Sequence, residues 1–216
     1  PLDADRVGFC LHTDASLANG KRKRTQAGFT IAAVYRELEQ DEQTPWSMIH
    51  WRSEHLRRVV ESTLGSETQA LVVGLKELEW VTWLDLHKGL ALEGREEEVR
   101  RLARAAFVTP RDDHGEPLAP GVPTRDQVSV QPVSVTGCKS VFDALRGTSV
   151  ATLSDRSVAL DMLVARQLIE RMGLSVRWVP AALQASDGLT KDTASGSDSL
   201  RALIKDGVYR IGAEEE

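Results

Sequence analysis

The prediction of the fold starts from the segment Val7–Asp14, VGFCLHTD. It is a short apolar run that ends in polar residues. Such a run is typical of a buried strand. Asn19-Gly20, a dipeptide that strongly favours a hairpin turn, comes next, and Gln26–Tyr35 is a second strand-like run. The acidic stretch Glu37–Gln43 predicts a solvated loop, and Trp46–Trp51 a third strand. Three strands with short connections predict an antiparallel meander.

Beyond residue 60 the apolar residues follow helical spacing. Ser66 and Gln69 fit a capping box, and the apolar positions after them predict a helix from Glu67 to Leu86. A short surface helix is predicted at Glu93–Ala106, followed by a strand at Val128–Thr136. Two helices are predicted at Cys138–Leu145 and Asp155–Met172. A strand at Leu174–Val179 and a last helix at Ser197–Lys205 complete the predicted order. We therefore expect an α/β protein with a five-stranded mixed sheet, first an antiparallel meander and then parallel strands, flanked by helices.

The composition of the 216-residue chain is ordinary for a globular protein, with 41% hydrophobic and 27% charged residues. No apolar run approaches the roughly 20 residues that span a bilayer. Residues 1–6 lack the basic and apolar segments of a secretory signal. Cys10 and Cys138 are too few for a disulfide framework and lack zinc-ligand spacing. We expect an intracellular protein, in the cytoplasm or nucleus, with no membrane partner.

The charge distribution is acidic overall and basic at one place. The net charge is −5, which argues against a protein that coats nucleic acid through bulk charge. A basic cluster nevertheless lies in the predicted hairpin, formed by Lys21, Arg22, Lys23 and Arg24. Four adjacent cations can bind phosphates in a salt-dependent manner. A solvated turn is the alternative interpretation of this cluster.

Three carboxylates lie where separate elements meet one end of the predicted sheet. Asp14 ends the first strand, Glu67 begins the first helix on its apolar side, and Asp187 follows the last strand. Hard oxygen ligands of this kind suit magnesium. Two such ions about 4 Å apart would hold the attacking water and the leaving oxygen of a phosphodiester. The alternatives are an Asx turn for Asp14, a helix-dipole residue for Glu67 and an ordinary turn for Asp187.

Five segments, in this order, resemble the ribonuclease H domain of LTR-retrotransposon polyproteins, most of all the copia type. They are Thr13–Ala15, the basic stretch and glycine-containing strand from Lys21 to Gly28, Ser66–Ala70, Val135–Ser140 and Ala185–Lys191. The resemblance covers nearly the whole chain apart from a predicted insertion at about residues 90–127. It implies a ribonuclease H-like domain over residues 1–213, followed by an acidic tail at 214–216.

The resemblance also implies an activity. A relative of this kind is an endonuclease that hydrolyses the RNA strand of RNA–DNA hybrids with two Mg²⁺ ions, or Mn²⁺ in their place. Asp14 would bridge the two ions, and Glu67 and Asp187 would each help to hold one. The implied partners are the RNA–DNA hybrid and the reverse transcriptase part of the same polyprotein.

One position departs from the family pattern. Where the family has its third catalytic aspartate, at the end of the fourth strand, this chain has Gly137. Lys139 and Ser140 keep the motif in phase, and Asp143 is too far along the next helix to replace the lost ligand. We therefore expect impaired activity, whether the glycine is natural or engineered. The alternatives are a non-catalytic nucleic-acid-binding or protein-binding module, and an integrase-type or resolvase-type phosphotransfer enzyme on the same fold.

Overall fold

The computed structural model describes residues 6–17, 24–92, 132–147, 155–191 and 194–212. The chain divides into two compact units, residues 1–78 together with 130–216, and residues 79–129. The candidate site lies in the first unit. Within the described ranges, no helix combines the length and the apolar character needed to cross a membrane.

The secondary structure follows the predicted order of elements. The strands are β1 (Val7–Ser16), β2 (Gln26–Tyr35), β3 (Thr44–Pro45), β4 (Ser47–His55), β5 (Pro132–Thr136), β6 (Ser175–Trp178) and β7 (Val208–Tyr209). The α-helices are α1 (Thr63–Leu92), α2 (Lys139–Arg146), α3 (Arg156–Met172), α4 (Asp187–Thr190) and α5 (Ala194–Asp206). Two 3-10 helices lie at Arg36–Gln40 and Ala181–Leu183.

The main sheet has the strand order β4-β2-β1-β5-β6. Strand β1 is antiparallel to β2, which is antiparallel to β4, whereas β1, β5 and β6 run parallel. The predicted five-stranded mixed sheet flanked by helices is therefore confirmed. Strands β3 and β7 form a small two-stranded sheet that the sequence analysis did not predict.

Strand β1 lies at the centre of the sheet and is buried along almost its whole length. Helix α1 packs directly on one of its faces, because Gly74 has no side chain to hold it away. A Cβ at Gly74 would lie 2.6 Å from Thr13 Cγ2 and 3.0 Å from Leu11 Cδ1. Side chains alternate along a strand, so His12 and Asp14 belong to the opposite face. Burial of β1 fixes the position of Asp14.

Helix α1 begins at Thr63, four residues before the predicted start. The Ser62 hydroxyl accepts a hydrogen bond from the Gly65 backbone N–H at 3.1 Å, as an N-cap serine does. Ser66 lies inside the helix, and its hydroxyl donates to the Thr63 carbonyl at 2.8 Å. The predicted capping box of Ser66 and Gln69 is therefore wrong: serine can also bond back to the preceding turn, and here it does.

Other element predictions are confirmed or corrected. The stretch predicted as a solvated loop instead contains the 3-10 helix Arg36–Gln40, since Leu38 is buried in the core. Helix α3 is capped as its sequence indicates: Asp155 accepts from two backbone N–H groups, and Gly173 ends the helix at φ 59°. Several predictions lie outside the described residues, namely the turn at Asn19-Gly20, the helix at Glu93–Ala106, most of the insertion at 90–127 and the acidic tail.

Candidate active site

Asp14 is a buried carboxylate near the end of β1. The strand continues for two residues beyond it, to Ser16, so Asp14 lies within the strand rather than at its end. Strand β5 pairs with β1 only as far as Thr13, which is opposite Thr136. Asp14 is thus the first β1 residue beyond the last pair with β5, which leaves room for side chains from other elements.

Gly28 brings helix α4 close to Asp14. It lies opposite Asp14 on β2, and a Cβ at this position would lie 2.7 Å from Leu189 Cβ. Only a residue without a side chain permits that approach. The Thr190 hydroxyl then donates a hydrogen bond to the Asp14 carboxylate.

Glu67 reaches the same end of β1 from helix α1. Its carboxylate is buried and accepts a hydrogen bond from the Ala15 backbone N–H. Small residues make this approach possible, since Ala15 and Ala27 in the sheet pack against Ala70 one turn further along the helix. Glu67 and Asp14 therefore reach the end of β1 from the helix and from the strand itself.

Asp187 is the first residue of α4 and is also buried. Its carboxylate accepts a hydrogen bond from Lys191 Nζ at 2.5 Å, one turn further along the chain. The negative charge of Asp187 raises the pKa of both Asp14 and Glu67.

The pKa values of these groups are governed by burial. Burial, followed by the charge of Asp187, raises the pKa of Asp14 to about 6, although the Thr190 hydrogen bond lowers it. Burial and the charge of Asp14 raise the pKa of Glu67 to about 9. The site therefore disfavours a full set of ionised carboxylates unless a cation is added.

Lys191 supplies positive charge to this site. Burial lowers the pKa of Lys191, but its hydrogen bond to Asp187 and the charges of Asp14, Asp187 and Glu67 outweigh that effect and raise it. The ammonium therefore stays charged and pairs directly with the Asp187 carboxylate.

Gly137 directly follows β5 and has space for a side chain. A Cβ there would lie 3.4 Å from Gln184 Cγ and 3.5 Å from Gln184 Nε2, and both are ordinary contact distances. The Gly137 carbonyl accepts a hydrogen bond from Trp178 Nε1 at 3.2 Å. Asp143 does not replace the missing carboxylate, because it is exposed and lies 3.8 Å from Lys139 in an ion pair.

The donor atoms fit a divalent cation only in part. Asp14 and Glu67 are buried acidic side chains whose oxygens are of the kind that hard cations prefer. Asp187 already bonds to Lys191, and Gly137 contributes no ligand. Within the described residues, no three His, Cys, Asp or Glu side chains form a group arranged to hold a metal ion. Binding of Mg²⁺ or Mn²⁺ by these carboxylates stays a prediction.

The sequence analysis missed Gln184, which joins the site to the sheet. Its side-chain amide donates to the Thr13 carbonyl at 3.0 Å, and its Oε1 lies 2.9 Å from His12 Nδ1. His12 is fully buried, and burial lowers its pKa to about 4, so it is neutral at pH 7. A lone glutamine carries no sequence signal for this role. Thr190 and Lys191 do stand in the segment that carries the family resemblance, where their contacts were not predicted.

The basic cluster falls mostly outside the described residues. Lys21, Arg22 and Lys23 are not described, and Arg24 is exposed just before β2. Phosphate binding by this cluster stays a prediction.

No family model and no curated protein matches the chain. Similar solved structures include the N-terminal RNase H domain of Rv2228c from Mycobacterium tuberculosis, at 12% identity over 93% of this chain and 98% of that chain, with a TM-score of 0.45. RNase H1 from Halobacterium salinarum NRC-1 is 13% identical over 92% of this chain and 98% of that chain, with a TM-score of 0.45. A foamy viral protease-reverse transcriptase in complex with an RNA/DNA hybrid is 11% identical over 92% of this chain and 21% of that chain, also at 0.45.

Proposed function

We propose that this chain is a ribonuclease H-type endonuclease that hydrolyses the RNA strand of RNA–DNA hybrids, with its activity reduced by the absence of a carboxylate at Gly137. One observation carries the proposal: Asp14 on β1, Glu67 on helix α1 and Asp187 on helix α4 are all buried, and the Thr190 hydroxyl holds α4 against Asp14. The three acidic residues occur in the same chain order as the motifs that resemble the copia-type ribonuclease H domain.

In this proposal Asp14 and Glu67 hold the metal, and Asp187 is a third carboxylate ligand. Bound Mg²⁺, or Mn²⁺, supplies Lewis-acid stabilisation of the charge that develops on the phosphodiester. The Thr190 hydroxyl orients the Asp14 carboxylate, and the Ala15 N–H orients that of Glu67. Burial of both carboxylates excludes water from their sides and strengthens their interaction with a cation.

The substrate would be recognised by shape. The wide minor groove of an RNA–DNA hybrid displays 2′-hydroxyls and backbone, which a protein can contact without sequence preference. The cluster from Lys21 to Arg24 would bind phosphates beside the site. We also propose that the domain works next to the reverse transcriptase part of a retrotransposon polyprotein.

A non-catalytic binding module is the second candidate. Two features favour it. Gly137 has no carboxylate to offer a metal ion, and Lys191 bonds to the carboxylate of Asp187. Such a module would bind the hybrid without cleaving it.

Cleavage of an end-labelled RNA–DNA hybrid in Mg²⁺ or Mn²⁺ tests the proposal. We expect slow cleavage by the parent, faster cleavage by Gly137→Asp, and no cleavage once Asp14→Asn is added to that variant. Hybrid binding is measured in parallel. Normal binding with no cleavage by Gly137→Asp would show that the second candidate is correct.

A further inference from the structure

Lys191 forms hydrogen bonds to Asp187 with both its backbone and its side chain. Its backbone N–H bonds to the Asp187 carbonyl at 3.1 Å, and its Nζ bonds to the Asp187 carboxylate at 2.5 Å. The side chain is therefore folded back over the single turn of α4 instead of extending into solvent.

The ammonium of Lys191 bonds directly to Asp187, one of the groups proposed to hold the metal. The charges of Asp14 and Glu67 also favour its charged form and raise its pKa. A carboxylate oxygen that accepts a short charge-assisted hydrogen bond is less available to a metal ion.

We infer that Lys191 is a built-in counter-cation, whose ammonium holds one oxygen of the Asp187 carboxylate in the absence of metal and competes with a divalent ion for that oxygen. This inference rests on the proposed function, since it concerns the same metal site. The Lys191 side chain is 38% exposed, so it has a path to solvent along which the ammonium can move away. A metal ion that binds this oxygen therefore has to displace Lys191, which costs the Lys191–Asp187 ion pair.

Two consequences follow for metal binding and stability. Removing the charge of Lys191 should tighten divalent-ion binding, because the competing partner of Asp187 is lost. It should also destabilise the metal-free protein, because the buried Asp187 carboxylate then lacks its ion-pair partner. A residue that only caps α4 would lower stability without tightening metal binding.

The test is calorimetric titration of the full chain with Mn²⁺, combined with thermal unfolding with and without the ion. Lys191→Met keeps the length of the side chain and removes its charge, and Lys191→Gln keeps a hydrogen-bond donor in case the Met variant does not fold. Lys205→Met, at an exposed position near the end of α5, is the matched control. Asp14→Asn shows whether the measured binding belongs to this site.

We expect Mn²⁺ to bind Lys191→Met about 10-fold more tightly than the parent, which is the size of effect expected for losing one charge-assisted hydrogen bond. Lys205→Met should bind as the parent does. Equal or weaker binding to both Lys191 variants would overturn the inference and leave the proposed function intact. Failure of every variant to bind Mn²⁺ would overturn both.

Discussion

The Thr190 hydroxyl donates a hydrogen bond to the Asp14 carboxylate and so joins two residues 176 positions apart. Asp14 belongs to the first strand of the chain, and Thr190 to a short helix near its end. Neither residue forms this part of the site alone. The approach depends on Gly28, which lies opposite Asp14 on β2 and has no side chain to hold helix α4 away.

Thr190→Val should weaken both the site and the fold. The variant keeps the shape of the side chain but leaves Asp14 without its hydroxyl donor, so we expect a loss of about 1.5–3 kcal/mol in the free energy of unfolding, the usual range for a hydrogen bond to a charged group. Urea denaturation measures this loss. Thr190→Ser keeps the donor and should lose much less; if Ser and Val cost the same, the hydrogen bond is not the cause.

Gly28→Ala should push α4 away from the sheet. The new Cβ would lie 2.7 Å from Leu189 Cβ and 3.0 Å from Thr190 Cγ2, so the helix must shift. Overpacking of this kind costs about 1–3 kcal/mol of stability, and here it should also weaken Mn²⁺ binding through Asp14. Gly147→Ala is the control, because its Cβ would meet nothing closer than 3.4 Å. If Gly28→Ala bound Mn²⁺ as tightly as the parent, the position of α4 would not matter for metal binding.

The site predicts a pH dependence with a definite sign. The folded protein raises the pKa of Asp14 to about 6 and that of Glu67 to about 9, so it holds their protons more tightly than the unfolded chain does. Their contribution is therefore most favourable at low pH and is lost as pH rises through 6 towards 9. Since a metal ion offsets the charge of the ionised groups, Mg²⁺ should raise the melting temperature more at pH 8.5 than at pH 5.5.

Thermal unfolding of the parent and of the double variant Asp14→Asn, Glu67→Gln isolates these two groups from the rest of the protein. The stability difference between the two chains should change with pH in the absence of metal, and only the parent should respond to Mg²⁺. A parent that gains stability relative to the double variant between pH 5.5 and 8.5 without metal would contradict the assigned sign.

The sequence predicted the sheet well because its strands carry local signals. Gln26–Tyr35 was predicted with its observed bounds, and Asp155 and Gly173 mark the ends of α3 as their capping preferences indicate. The predicted start of α1 is wrong because two serines, Ser62 and Ser66, can each serve as the N-cap residue of this helix. Only packing decides between them.

The candidate site was predicted less completely. Asp14, Glu67 and Asp187 were named from the segments that carry the family resemblance, and all three are buried. The contacts of Gln184 and Lys191 depend on how α4 lies against β1, which no local pattern encodes.

The most direct measurement is the single-turnover cleavage rate of an RNA–DNA hybrid by Gly137→Asp compared with Gly137→Asn. The two variants place side chains of nearly equal size beside Gln184, and only the aspartate adds a charged ligand. A metal ligand that stabilises the transition state by a few kcal/mol should make the Asp variant at least about 100-fold faster. Equal rates in the two variants, with hybrid binding intact, would contradict the assignment of this site as a ribonuclease H centre that lacks one carboxylate.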